Sequence, residues 1–157
     1  MSKGYKSVKR KSTYADAIAD GYSAIEELAS EMRDAYDNCT GSGMSDSHPK
    51  VEAFSTAADE LENANQPPDV PDELTELMSK ECELTTTTPR DRRRGPARWA
   101  RLSDACNAIQ VAKDYLEDLA AQDGLPEEIK EAAGQLASEL DDAASLDGSV
   151  DFPGMYG

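Results

Sequence analysis

Histidine is nearly absent from this chain of 157 residues, and the single one, His48, excludes several catalytic classes by count. Histidine-rich zinc sites and di-iron sites with paired Glu-x-x-His motifs both need more than one. Cys39 and His48 could form a nucleophile pair. The simpler interpretation is that Cys39 ends an apolar helix seam and His48 helps to cap the next helix beside Pro49. We therefore expect no catalytic residues, no metal and no cofactor.

Aromatic residues make up only 6% of the chain, so the core has to be built from small and aliphatic side chains, as in helix bundles. The three cysteines are an odd number at wide spacings, which argues against a disulfide framework and for a reducing compartment. No apolar run approaches the roughly 18 residues of a membrane span, and no apolar stretch follows the basic N-terminus as in a secretory signal. We expect a single cytoplasmic domain that does not bind membranes.

The formal net charge is −16, from 16 Lys and Arg against 32 Asp and Glu, and it is unevenly spread. Residues 1–12 hold five basic residues and no acid, and residues 90–101 hold six arginines and a single acid, Asp91. The rest of the chain has five basic residues against all the remaining acids. Such a field repels nucleic acid at long range and attracts basic surfaces. The chain is therefore expected to be an acidic body with two basic islands.

Four segments carry apolar residues at helical spacing. In residues 13–38, Ile18, Ile25 and Met32 are spaced by seven, which predicts a long amphipathic helix with a cap at Thr13. The other three segments are 49–65, 96–122 and 125–146, each with a proline near its start, where the first helical turn tolerates it. The two halves also resemble each other, which is consistent with a duplicated helical hairpin.

The remaining segments complete the predicted domain organisation. A basic arm (1–12) precedes the first hairpin, which with a short helix starting near Pro71 occupies 13–84. The sequence TTTTPRDRRRGP (85–96) has the composition of an exposed linker, and the second hairpin (97–146) is followed by a tail (147–157). Neither hairpin can bury its seam alone. We therefore predict an all-α, four-helix bundle-like arrangement of the two hairpins, with the extra short helix and the Arg-rich linker between them.

Carboxylates at helical spacing are abundant, but a chain with 32 acids in 157 residues shows such pairs by chance. Solvated helix faces therefore explain them better than a cation or acid/base site. Rows of carboxylates on a rigid helix can also imitate a nucleic-acid backbone and occupy the basic groove of a partner. The residues predicted to form this partner-binding face are Glu26, Glu27, Glu31, Asp34, Asp114, Glu117 and Asp118.

The basic islands allow two interpretations. Their cations could neutralise phosphates while Trp99 stacks on a base. They could instead act as a clamp on the acidic body, or on an acidic face of a neighbouring copy. We favour the second interpretation, because the surrounding acidic field opposes nucleic acid beyond roughly a Debye length. The predicted clamp comprises Lys9, Arg10, Lys11, Arg92, Arg93, Arg94, Arg98 and Trp99.

The tail keeps three large apolar residues, Phe152, Met155 and Tyr156, which either fold back over the helices or dock on a partner. These features together predict a non-enzymatic interaction protein that binds a basic protein surface, including as a nucleic-acid mimic or inhibitor. One alternative is a self-assembling structural subunit of a larger particle or complex, which uses the basic arms as clamps. The expected location of the protein includes a viral host cell or a viral particle. The second, less favoured alternative is nucleic-acid binding through the Arg-rich linker and Trp99.

Overall fold

The computed structural model describes residues 4–91, 93 and 95–152. These residues form five α-helices and one two-stranded antiparallel sheet, so the chain is mostly helical, as predicted. Two 3-10 turns, Asp72–Leu74 and Leu146–Gly148, precede α3 and follow α5. The elements in chain order are β1 (Tyr5–Thr13), α1 (Tyr14–Gly41), α2 (Pro49–Ala64), α3 (Thr75–Met78), β2 (Glu81–Pro89), α4 (Arg98–Ala121) and α5 (Glu127–Ala144).

Local capping chemistry sets the helix starts that the sequence predicts. The Thr13 hydroxyl accepts a hydrogen bond from the backbone N–H of Asp16 at 3.1 Å, which satisfies one of the unpaired donors in the first turn of α1. Nδ1 of His48 accepts the backbone N–H of Lys50 at 3.1 Å, and Pro49 is the first residue of α2. The histidine is thus a helix cap, and the simpler interpretation of this residue is confirmed.

The helices pack as two hairpins, α1 with α2 and α4 with α5, which meet where α1 packs on α4. α1 and α4 approach closely at Gly21. A Cβ atom there would lie 2.5 Å from Ile109 Cγ1 and 3.0 Å from the backbone oxygen of Ala105. The buried seam is aliphatic and alanine-rich, as the scarcity of aromatic residues requires, and its largest fully buried side chains include Ile25, Leu28, Met32, Leu61, Ile109, Leu116, Leu136 and Leu140.

The expectation of an all-α fold is wrong, because the described part of the basic arm and much of residues 81–96 form a sheet. β1 and β2 pair antiparallel with the register running from Tyr5 opposite Pro89 to Thr13 opposite Glu81. The predicted short helix therefore ends at Met78 rather than near residue 84, and residues 85–89 are strand rather than exposed linker.

The physical reason for β2 is a two-residue alternation. Cys82 and Leu84 are buried between exposed glutamates, and they pack with Ala17 of α1 and Ala108 of α4. A strand places alternate residues on one face, whereas a helix would have turned one of these two side chains toward water. The β-branched threonines that follow favour the same extended geometry.

The C-terminal tail is described as far as Phe152. Val150 is buried and Phe152 packs against the main core, so this part of the tail folds back over the helices. Met155 and Tyr156 lie outside the described residues. Within residues 4–91, 93 and 95–152, no helix is long and apolar enough to cross a membrane.

Candidate partner-binding surfaces

An ion-pair cluster joins α1 to α4. The Glu31 carboxylate accepts from Nη1 of Arg101 at 2.9 Å, from Nη2 of the same guanidinium, and from Nε of Arg98 at 3.3 Å. Glu27 lies at the edge of the cluster, 3.8 Å from Arg101 Nη2. We call this cluster, with the close helix contact at Gly21, the α1–α4 seam. The forked geometry suits a guanidinium and a carboxylate, and it uses two arginines of the second basic island internally.

The electrostatics of the seam favour the charged forms of both partners. The hydrogen bond from Arg101 holds the pKa of Glu31 below its usual value, against an opposing effect of burial, and Arg98 adds to the lowering. The same hydrogen bond raises the pKa of Arg101. The Glu31 side chain is 35% exposed and that of Arg101 is 26% exposed, so the pair is partly shielded from water and salt.

The structure does not bring the predicted acidic face together. Glu27 and Glu31 lie against the start of α4, at the Arg98 end of the helix pair. Asp118 lies near Tyr14 at the opposite end, where burial raises the pKa of Tyr14 and the charges of Cys82 and Asp118 add to the rise. The Tyr14 ring stacks on Tyr115 with 3.9 Å between the ring centroids. Of the other members, Glu26, Asp34, Asp114 and Glu117 are all exposed, and Glu117 pairs with Lys113 at 3.0 Å.

A second set of carboxylates has no such partners among the residues that the structure describes. The proline-containing segment before α3 runs along α5 and leaves two adjoining cavities of about 630 and 380 Å³, which share Asp69 and Glu139 in their linings. All six acids that line them are exposed, and none forms an ion pair with any described residue. We call this surface the acidic trough; its carboxylates are Asp69, Glu73, Glu128, Glu131, Glu139 and Asp142.

Two carboxylates of the trough contribute to a raised pKa of a buried tyrosine nearby. Tyr22 of α1 is 3% exposed, and its pKa is raised to about 12, first by burial and then by the negative charges of Asp142 and Glu139. An anionic phenolate would add a further negative charge beside these carboxylates, which disfavours its ionisation. The trough therefore combines exposed carboxylates, which form no ion pair with any described residue, with apolar surface supplied by Pro67, Pro68 and other lining residues.

Strand pairing merges the two basic islands, which lie far apart in the sequence. Arg90 donates its backbone N–H to Gly4 O at 2.7 Å and its Nε to Tyr5 O at 3.2 Å. The Tyr5 hydroxyl accepts the backbone N–H of Ala97 at 2.9 Å, and its ring meets the 43% exposed Trp99 edge-on at 5.0 Å. β1, β2 and the described residues between β2 and α4 therefore form one surface, which we call the basic ribbon.

Most cations of the predicted clamp are already paired within the molecule. Lys9 lies 3.5 Å from Glu83, Lys11 lies 3.4 Å from Glu81, and Arg10 lies 3.4 Å from Asp20 of α1. Arg93 pairs with Asp91 in the loop after β2. All of these contacts are substantially exposed and hence individually weak. Arg92 and Arg94 lie outside the described residues.

Two of the three cysteines are buried thiols. Burial raises the pKa of Cys106 to about 11, and its thiol donates to the backbone oxygen of Ala143 at 3.3 Å. Burial also raises the pKa of Cys82. All three cysteines are free thiols, and Cys39 packs against the core. In the part of the chain that the structure describes, no group of three or more His, Cys, Asp or Glu could hold a metal ion.

Sequence reasoning missed the trough and the role of Tyr5. No local pattern marks the trough, because Asp69 and Glu139 come from different halves of the chain. The strand did leave a signal in the alternation of residues 81–84. Comparison with protein-family models, with curated proteins and with solved structures finds no match for this chain.

Proposed function

We propose that this protein is a non-enzymatic binding protein whose acidic trough receives a lysine- or arginine-rich segment of a partner protein. The observation that carries the proposal is the contrast in pairing. The Glu31 carboxylate is held by two arginines, whereas the six carboxylates of the trough have no ion-pair partner among the described residues. When the partner is a nucleic-acid-binding protein, the trough takes the place of the phosphate backbone.

The trough has the chemistry that long basic side chains need. Lysine and arginine bury their aliphatic stems on apolar surface while the charged heads stay at its rim. Pro67, Pro68 and Ala132 offer that surface, and the carboxylates stand beside it. Charge-assisted hydrogen bonds from guanidinium groups then give orientation, and the field of the body speeds the encounter.

A rigid scaffold is part of the proposal. We propose that the four long helices act as one bundle, so that the trough carboxylates keep their spacing in the free protein. We also propose a reducing, cytoplasmic setting, which the three free thiols support. The helix-cap role of His48 and the raised pKa of Cys106 support the absence of catalysis, because neither group is poised to act.

The test compares two triple variants that raise the net charge equally. The trough variant carries Glu131→Gln, Glu139→Gln and Asp142→Asn. The control carries Glu26→Gln, Asp34→Asn and Asp37→Asn, all exposed on α1. Basic proteins captured from host lysate by the wild-type chain at low salt are purified, and their binding is measured by calorimetry. The trough variant should bind about tenfold more weakly or worse, and the control should stay within about threefold.

Three results would contradict this proposal. The first is that nothing basic is captured at low salt, and the second is that both triple variants weaken binding equally. The third is that the ligand captured is another copy of the chain. Light scattering over a range of concentrations identifies this third case, because concentration-dependent growth in mass supports the self-assembling subunit instead.

A further inference from the structure

The outer edge of the basic ribbon carries outward main-chain groups at Lys9 and Lys11, which have no hydrogen-bond partner among the described residues. The backbone hydrogen bonds from Arg90 to Gly4 and from Tyr14 to Lys80 join residues that are directly opposite in the register. Hydrogen-bonded pairs recur at every second residue of an antiparallel ladder. The even-numbered residues of β1 therefore bond to β2, and Lys9 and Lys11 point their N–H and C=O groups away from it.

At the opposite edge of the sheet, formed by β2, an outward backbone N–H group has a hydrogen-bond acceptor on α4. By the same alternation Thr87 of β2 points its N–H outward, and both carboxylate oxygens of Asp104 on α4 accept it, at 2.9 and 3.0 Å. Burial raises the pKa of Asp104, and the hydrogen bond from Thr87 opposes that rise. The β2 edge is thus covered by α4, while Lys6 through Lys11 of β1 are all exposed.

We propose that the outer edge of β1 is a docking site for an extended, acidic peptide segment of a partner protein, which adds to the ribbon as a third strand. Addition of a strand satisfies the outward main-chain groups and gives affinity, while side chains at alternate positions give specificity. β1 has four cations and no acid, so carboxylates on alternate residues of the added strand would meet Lys9 and Lys11.

Charge selects this occupant over a second copy of the chain. Two β1 strands side by side would place lysines and arginines of both copies against each other, and like charges directly opposite destabilise a sheet. Lysines on an exposed edge are a common protection against such self-pairing. The cross-strand pairs of Lys9 with Glu83 and Lys11 with Glu81 are exposed, so they can be exchanged for a partner's carboxylates at little cost.

The same surface suits nucleic acid less well. Glu81 and Glu83 interrupt the cations along the ribbon, and Arg98 and Arg101 are held by Glu31. A phosphate backbone carries charge continuously past the ribbon and over the acidic body, whereas a short peptide places a few carboxylates directly beside the lysines. At physiological salt the rest of the body is screened beyond about 8 Å.

The probe is a synthetic nine-residue peptide of alternating glutamate and valine, titrated against the full chain. Nuclear magnetic resonance follows amide exchange residue by residue. The outward amides of Lys9 and Lys11 should become at least about tenfold more protected when the peptide is bound, since each gains a main-chain acceptor. The amides of Val8 and Arg10, already bonded to β2, should change little.

Two variants separate main-chain pairing from charge alone. Lys9→Gln removes the charge, and Lys9→Pro removes the charge and the outward N–H, at an edge position that tolerates proline. Lys9→Pro should weaken peptide binding about tenfold more than Lys9→Gln. Circular dichroism and urea unfolding establish that both variants fold. If the proline variant unfolds, the wild-type exchange pattern decides the matter.

Three outcomes would overturn the inference. One is unchanged exchange at Lys9 and Lys11 under saturating peptide. Another is equal binding by nonaglutamate, which has the charge without the alternation. The last is that a nine-nucleotide oligothymidine protects the ribbon and quenches Trp99 more strongly than the peptide does, which would assign the surface to nucleic acid. None of these outcomes bears on the trough, so the two proposals fail separately.

Discussion

The α1–α4 seam and the acidic trough are both rich in carboxylates, yet they differ in what stands beside them. In the seam, Glu31 receives hydrogen bonds from Arg98 and Arg101, and the helices touch at Gly21. In the trough, six carboxylates surround apolar side chains with no ion pair to any described residue. Ion pairs at a helix contact add a modest stabilisation, whereas like charges that lie close together on a surface repel one another. Glu31 therefore takes part in the contact between α1 and α4, whereas the trough carboxylates are the ones that we propose for partner binding.

The largest expected effect tests the close contact of the seam. Gly21→Ala should reduce the free energy of unfolding by about 1–3 kcal/mol, because the added methyl group overlaps Ile109 and approaches a backbone oxygen. Gly134→Ala is the matched control on α5. There the methyl group would meet only Ala120 Cβ at 3.8 Å, so better helix propensity should raise stability by up to about 1 kcal/mol. Urea unfolding measures both, and equal changes would mean that the seam is not tightly packed.

A smaller effect is expected from the charges themselves. Glu31→Gln should cost about 1 kcal/mol, because it leaves two partly buried guanidinium groups without their carboxylate, while the exposure of the Glu31 side chain to water limits the loss. Glu139→Gln in the trough should change stability by no more than about 0.5 kcal/mol, or raise it slightly, because it removes only repulsion. Thermal and urea unfolding of the two variants at the same salt provide the measurement. If Glu139→Gln lowered the free energy of unfolding as much as Glu31→Gln does, the proposed difference between the seam and the trough carboxylates would be wrong.

The smallest effect is the dependence of the seam on pH. Because the folded protein holds the pKa of Glu31 below its unfolded value of about 4.5, the ionised carboxylate stabilises the fold above that pH. This stabilisation is lost as the pH falls through the lowered folded-state pKa. The stability difference between wild type and Glu31→Gln should therefore shrink as the pH falls below about 4.5. A difference that stays constant down to acid unfolding would contradict the cause assigned here. Arg101→Met should remove much of this pH dependence, because the hydrogen bond from Arg101 is the largest cause of the lowered pKa of Glu31.

The long helices could be predicted because their signals are local. The seven-residue spacing of Ile18, Ile25 and Met32 places these side chains on one side of α1, and all three are buried. The caps at Thr13 and His48 depend on neighbours within three residues of the chain. Periodicity and capping of this kind require no knowledge of the tertiary partner.

The sheet could not be assigned so readily, because half of its signal lies elsewhere in the chain. β1 has charged residues on both faces, and on its own it resembles a solvated basic arm. It becomes a strand by pairing with β2, whose Cys82 and Leu84 are anchored on Ala17 and Ala108. The alternation in β2 was readable in the sequence, but the prolines and arginines that follow it favour a linker.

The sequence by itself determined the acidic charge, the aliphatic character of the core and the four long helices, because composition and short-range periodicity specify each of them. Tertiary structure decided which charges are satisfied and which remain open. Ion pairing acts over a few ångströms in space, and contacts such as Glu31 with Arg101 or Gly4 with Arg90 join residues remote along the chain. The trough and the basic ribbon, on which both binding proposals depend, exist only once the hairpins and strands have come together.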